Sequence, residues 1–272
     1  MPPSSTPLLV SVAIPAFNEG ARLPPLLAAL AAEARACPGR PVELLVVDDG
    51  SAPEQLALHR ESVAAAVQAL TGTPHRVRLI EGGQNQGKGG AIRRGWREAS
   101  PDATWLAFLD ADGAISATEF WRLTGLLDEG VDLLAGSRVL MAGRSIKRSL
   151  LRHLQGRVFA TLTELAFRLG FYDTQCGVKF VRAALLRPHL EVLQERRWML
   201  DIELLALVQR LGGRQREEPI DWWDPGGSKV RPVVDALQML LGLRRIKRHL
   251  LGAPSATRAA TPAAAPARSP GR

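Results

Sequence analysis

The chain has 272 residues, a formal net charge of +8 and 46% hydrophobic residues, enough for one large domain or two small ones with a sizeable core. Its two cysteines, Cys37 and Cys176, stand far apart; they do not suggest a disulfide framework and fit a reducing compartment, each as a small buried hydrophobe. No run reaches the ~18–20 apolar residues of a membrane span, and the N-terminal stretch has neither the basic start nor the unbroken apolar run of a signal or anchor, so the chain reads as soluble or peripheral and cytoplasmic.

After a short tail (1–7), "LLVSVAI" (8–14) reads as a strand that runs into "PAFNEG", followed by a helix near 22–36. "VELLVV" (42–47) is a second strand; it ends in "DDGS" and precedes a helix at 53–69, with Ser51 as N-cap and Glu54 completing a capping box. "RVRLI" (76–80) is a third strand, and the glycine-rich "NQGKGGAIRRG" (85–95) leads into a helix at 88–99. "TWLAFL" (104–109) is a fourth and ends in "DADGA"; a helix at 117–128 and a strand "VDLLAG" (131–136) follow. These strands are continuous apolar runs, as expected when both faces are buried. The β-α-β-α order predicts a mostly parallel sheet with helices on both faces.

Beyond residue 140 the pattern predicts a long helix at 145–169, a short strand at 176–181, helices at 182–194 and 201–211, and a final helix at 232–250. The domain is bounded at 8–230, an amphipathic basic helix occupies 231–252, and the Pro/Ala-rich 253–272 reads as a disordered tail. Two basic clusters stand out: Arg144, Lys147, Arg148, Arg152 and Arg157 without an intervening acid, and "RRIKRH" at 244–249. Each is either a solvated helix face or a surface for phosphates and anionic lipid.

In such sheets ligands bind beyond the carboxyl ends of the strands, and here those ends are acidic. In "DADG", Asp110 and Asp112 repel one another and cost desolvation energy unless a cation sits with them. A divalent metal such as Mg²⁺, which takes carboxylate oxygens and bridges to substrate phosphates, meets that need. Asp48 and Asp49 can accept from a base N–H or a ribose hydroxyl. The 85–95 loop is not a Walker A loop, but its backbone N–H groups and Lys88 can meet phosphate at a helix N-terminus.

The ordered set "IPAFNE", "VVDDGS", "NQGKGGAIRRG", "LDADGA", "AGSR", "DTQCGVKF", "RRWMLDIELL" and "GGSKV" resembles family 2 glycosyltransferases of the GT-A fold over about residues 8–250. It is most similar to the branch of dolichyl-phosphate glucosyltransferases and polyprenyl-phosphate mannosyltransferases. The resemblance implies a Rossmann-like, mostly parallel α/β sheet with a C-terminal helical extension, and Mg²⁺ or Mn²⁺ as cofactor. It places Pro15, Phe17, Glu19 and Asp49 at the base and ribose, with Asp48 beside them among the nucleotide-sugar-binding residues, and Lys88 near the nucleotide. Asp110 faces ribose and metal, and Asp112 ligates the metal. Arg138, Arg148, Lys179, Ser228 and Lys229 fall where donor and acceptor phosphates are handled. Asp201 and Glu203 fall where relatives with hydroxyl acceptors keep a base. Mannosyl relatives often carry Gln after "DADG"; here Ala114 leaves the metal with one fewer side-chain ligand and more water.

The implied reaction is inverting transfer of a hexose, glucose from UDP-glucose in the first instance, to a polyprenyl or dolichyl phosphate. A lipid monophosphate is already anionic, so no general base is required, and Asp201 then orients a basic residue or caps the helix that follows. The alternatives are a mannosyltransferase using GDP-mannose, a family 2 transferase with a soluble or glycan acceptor, and a non-catalytic relative, although the acids such a relative tends to lose are present. The basic charge also invites a nucleic-acid-binding reading, but aromatics are few, no RNP-like run or zinc spacing occurs, and acidic strand ends oppose a phosphate backbone. The 231–252 helix, with Val233, Leu237, Leu240, Leu241 and Leu250 on its apolar face, packs on the core or lies on a membrane surface, or both.

Overall fold

The computed structural model describes residues 9–37, 40–139, 146–147, 150–223 and 232–252. Arg144, Arg148, Ser228 and Lys229 lie outside the described residues, as do the tails 1–7 and 253–272.

Seven strands form one sheet in the order β3-β2-β1-β4-β7-β5-β8. They are β1 (Val10–Ala16), β2 (Val42–Asp48), β3 (Arg76–Ile80), β4 (Trp105–Leu109), β5 (Leu133–Ser137), β7 (Val178–Arg182) and β8 (Gln215–Pro219). All pairings are parallel except those of β7, which runs antiparallel to both β4 and β5. A separate two-residue pairing joins β6 (Ile146–Lys147) to β9 (Trp222–Trp223). Most of the apolar runs predicted as strands are buried on both faces, and every residue of β2 and β4 is buried; β3, at the sheet edge, is only partly so. One core layer packs α1 (Leu23–Ala34), α2 (Pro53–Ala69) and α4 (Ala117–Gly125) on the sheet. The other packs α3 (Lys88–Glu98), α6 (Ala183–Leu186), α7 (Leu200–Arg210) and α8 (Pro232–Gly252) on the opposite face, with α5 (Leu150–Phe167) beside α8.

The early elements fall within a residue or two of their expected ends, save α4, which stops at Gly125 and not 128, and several later ones do not. The helix expected at 145–169 starts at Leu150, because Ile146–Lys147 pairs with Trp222–Trp223. The helix expected at 182–194 is one α-helical turn followed by a 3₁₀ segment at Arg187–Val192; Pro188, near its start, lacks the N–H that would continue the ladder. Strand β8, "QREEP", was not expected; it has no apolar run, and its conformation comes from pairing at the sheet edge with β5. The Ser51 capping box does not form: α2 starts after Ala52 with no side-chain cap, and Ser51 Oγ accepts from the Asn18 N–H at 2.9 Å. Cys176 is buried, whereas Cys37 is only half-buried, and both thiols are free.

Helix α8 turns Met239, Leu243, Ile246 and Leu250 into the core, so Leu250 does not belong to an outward apolar face. Leu240 and Leu241 remain outside, 41% and 52% exposed, beside exposed Arg244, Lys247 and Arg248. The side chains of Val233 and Leu237 lie outside the described residues. Among the described residues no helix is long and apolar enough to cross a membrane.

Candidate active site

A cleft of about 460 Å³ opens at the carboxyl ends of β1, β2 and β4, within the size range of small-molecule sites. Pro15, Phe17, Glu19, Asp49, Lys88, Asp110 and Asp112 all line it, as do Arg22, Asn85 and Arg197. Phe17 stands 47% exposed at the mouth.

The two acids of "DDGS" divide, because successive side chains on a strand point to opposite faces. Asp49 faces the cleft and accepts the backbone N–H groups of Gln86 and Gly87 at 2.9 and 2.7 Å. Burial pushes its carboxyl upward, and those two N–H groups and Arg94 pull it back. Asp48 faces away from the cleft, which corrects its expected place at the nucleotide. Its carboxylate accepts from Gly50 and Ser51 N–H and meets His59 Nδ1 at 3.0 Å. His59 Nε2 accepts from the Glu19 N–H at 3.2 Å, so the ring proton lies on Nδ1 and is donated to Asp48. Buried His59 thus ties the "PAFNEG" turn to the β2 edge. Nothing in the local sequence marked it, since a lone His inside a helix has no motif.

Asp110 and Asp112 are half-buried at the end of β4. The cation that offsets them within the chain is Lys88, at the first position of α3. Its Nζ lies 2.8 Å from Asp110 Oδ1 and 3.5 Å from Asp201 Oδ2. Burial alone would lower the lysine pKa; the Asp110 and Asp201 carboxylates outweigh it and hold the ammonium charged. For Asp110, burial pushes the carboxyl up against the pull of Lys88, and Asp112 and Asp201 add to the push. Gly177 permits this packing, because a Cβ there would stand 2.4 Å from Asp110 Oδ2.

Asp201 is not a helix cap. It sits within the first turn of α7, buried, and joins two lysines: Lys179 Nζ donates to Oδ1 at 2.5 Å and Lys88 Nζ to Oδ2 at 3.5 Å. Both ammonium groups lie over the Phe108 ring, at 5.1 Å for Lys88 and 5.4 Å for Lys179. Lys179 is fully buried and also donates to Cys176 O, so it is an internal counter-ion and not a phosphate contact; this corrects its expected role. Glu203 is likewise turned inward, accepting from Gln194 and Glu195 N–H, with its carboxyl pushed upward by burial.

Arg138 lies outside the cleft and is committed elsewhere. Nε and Nη2 donate to both oxygens of Asp173, at 2.6 and 2.9 Å, and the guanidinium lies 5.4 Å from the Trp222 ring. Burial would raise the Asp173 carboxyl, but Arg138 overrides it and holds it at about 2. A carboxyl lowered on folding adds stability above its ordinary pKa of 3.8 and loses it as pH falls toward 2. Asp173→Asn should therefore cost about 2 kcal/mol at neutral pH by leaving the half-buried Arg138 without its counter-charge. Urea unfolding from pH 7 to pH 3 should show the gap to wild type narrowing below about pH 4.

Two half-buried carboxylates can hold a hard divalent cation. The Asp110 carboxylate meets only the Lys88 ammonium, 2.8 Å from Oδ1, and Asp112 Oδ1 accepts only from the Ala114 N–H, at 3.0 Å, among the described residues, so lone pairs on both carboxylates remain for a cation. Among the described residues no cluster of three or more His, Cys, Asp or Glu forms a metal cage. That donor set suits Mg²⁺ or Mn²⁺ completing its shell with phosphate and water. Buried Ala114 adds no ligand.

A sheet in this strand order, with acids gathered at the carboxyl edge of β1, β2 and β4, defines a nucleotide-sugar transferase fold of the GT-A type. Glucosyl-3-phosphoglycerate synthase from Mycobacterium tuberculosis, solved with Mn²⁺, uridine-diphosphate and glucosyl-3-phosphoglycerate, superposes with a TM-score of 0.60 at 21% identity, covering 91% of this chain and 80% of that one. The sequence model of Glycosyl transferase family 2 matches residues 11–187, and the chain belongs to that family. Dolichyl-phosphate beta-glucosyltransferase of Drosophila melanogaster is 34% identical over 263 residues, covering 92% of this chain and 78% of that protein. The Homo sapiens protein of the same name is 34% identical over 257 residues, covering 90% and 76%.

Proposed function

We propose that this glycosyltransferase moves glucose from UDP-glucose to a polyprenyl or dolichyl phosphate with inversion. The observation that carries the reading is the Asp110–Asp112 pair in a cleft whose rim offers Phe17 and Pro15 to a base and Asp49 to its N–H or a ribose hydroxyl. The names of relatives at 34% identity supply the sugar and the acceptor class.

In this reading an acceptor phosphate oxygen attacks the anomeric carbon, the new C–O bond forms on the opposite face, and the bond to the diphosphate breaks. No proton has to be removed from an anionic acceptor. Asp110 and Asp112 would hold Mg²⁺ or Mn²⁺, which supplies neutralisation of the leaving diphosphate when bound. Lys88 is engaged by two acids and holds the carboxylates in place. Arg22 is paired with Glu19 at 2.6 Å. Arg197, missed by sequence reasoning, lines the same cleft and forms no ion pair among the described residues. Among the described residues that line the cleft it is the cation left free to meet phosphate as charge develops. Arg148, Ser228 and Lys229 remain proposed acceptor contacts on the resemblance alone.

The acceptor's headgroup lies at a bilayer surface, and we read α8 as the contact. Arg244, Lys247 and Arg248 supply roughly 1 kcal/mol each near an anionic leaflet, and Leu240 and Leu241 supply shallow insertion. Co-sedimentation with anionic liposomes should be strong at low salt and fall as salt is raised, with little binding to neutral ones. The decisive experiment screens UDP-glucose and GDP-mannose with a polyprenyl phosphate and Mg²⁺ or Mn²⁺, reading the product by mass. A glucosyl lipid phosphate supports the reading. A mannosyl product selects the mannosyltransferase, and transfer only to a water-soluble acceptor overturns the lipid-phosphate assignment.

A further inference from the structure

Residues 194–199 run between the donor cleft and α8, and both sides hold them. On the cleft side, the Gly90 N–H of α3 donates to Arg196 O at 3.0 Å. The approach is so close that a Cβ on Gly89 would stand 2.5 Å from Glu195 O. Beneath, the Glu203 carboxylate accepts the Gln194 and Glu195 N–H groups at 2.9 and 2.8 Å. On the far side, Arg245 of α8 grips buried Glu195 with two parallel bonds, Nε to Oε1 at 2.7 Å and Nη2 to Oε2 at 2.6 Å. His249 of α8 places Nε2 2.7 Å from Glu203 Oε1. Gly242 lets α8 come within van der Waals reach of Met199, since a Cβ there would meet Met199 Cε at 2.8 Å. A second groove, about 540 Å³, lies between this segment and α8 and shares Arg197 with the donor cleft.

Glu195 and Glu203 are neighbouring buried acids, 5% and 0% exposed. Without α8 they would repel each other in a poorly solvated place, and the segment would have to move toward water. Arg197 would move with it, since it sits two residues from Glu195.

We propose that α8 is a positioning element of the donor site: through the Arg245–Glu195 fork it sets the 194–199 segment, and with it Arg197, against the glycine-rich start of α3. The inference rests on the nucleotide-sugar reading of the cleft. It also makes the coupling reciprocal, so a ligand that orders the cleft also favours the seated helix.

The test uses the full chain with Arg245→Ala and Arg245→Lys, and reads UDP affinity with Mn²⁺ by calorimetry alongside KM for donor and acceptor. Arg245→Ala should weaken UDP about tenfold, in the usual range for coupling between sites. Donor KM should rise in step while acceptor KM stays within about twofold, and the Lys variant, which keeps the charge but not the fork, should regain part of the loss. Equal UDP affinity for wild type and Arg245→Ala overturns the inference alone. So does a parallel rise in both KM values that Lys does not rescue, because it marks general loosening of the fold. A wild-type chain that binds no UDP overturns the donor reading and the inference with it.

Discussion

Asp112→Asn is expected to lower transfer by on the order of a hundred- to a thousandfold, the scale of removing one group that neutralises developing charge. The fold should survive the change. Among the described residues Asp112 makes one hydrogen bond, accepting from the Ala114 N–H at 3.0 Å, and an asparagine Oδ1 accepts the same bond. What disappears is a hard anionic ligand and a like charge beside Asp110, one of the influences pushing that carboxyl upward. Binding of Mn²⁺ with UDP should weaken, while UDP alone should bind about as before. Rate and calorimetry together separate a metal ligand from a structural acid. Near-normal turnover in a folded variant would remove the metal from this site.

The first half of the fold was legible because most of its strands are buried on both faces. A continuous apolar run that stops at Gly and acidic residues can hardly be anything else in a βαβ chain, and β1 to β5 lie where those runs predict. The cleft was legible for a related reason: acids at strand ends mark the edge where ligands bind. Strand β8 carries no such signal. "QREEP" is half-buried throughout, and its pairing with β5 is a tertiary fact. The same limit explains the charged residues that were misplaced. Position in a motif does not say which face a side chain takes. Asp48 and Asp49 are adjacent and part company; Lys179 looked like a cation for phosphate, yet β7 points it inward, opposite Phe108 in the register with β4. Arg138 is held by Asp173, 35 residues away. Long-range pairs of this kind decide which cations stay free for substrate, and Arg197 emerged only after the others were found engaged.

The largest stability effect is expected at Asp201. Lys179 is fully buried, and its ammonium has two oxygen partners, Cys176 O at 2.9 Å and Asp201 Oδ1 at 2.5 Å. Asp201→Asn keeps an acceptor of similar shape but removes the only carboxylate on that ammonium among the described residues. Breaking a buried pair from one side costs about 3–5 kcal/mol, which for a chain of this size lowers Tm by on the order of 10 °C. Lys179→Met with Asp201→Asn should recover most of that loss, because the uncompensated charge is gone and an unbranched apolar side chain fills its place. The same pair of variants decides what Asp201 does in the reaction. As a counter-ion that holds Lys179 and steadies Lys88, it should leave the double variant with transfer reduced only a few-fold, as expected for a residue acting at second hand. As a general base it would leave both variants inactive although folded, and the acid limb of the wild-type pH–rate profile would report its ionisation. An acceptor phosphate that is already anionic offers no proton for such a base. Recovery of both Tm and transfer in the double variant is therefore the expected result, and a stable but inactive double variant would return Asp201 to the chemistry.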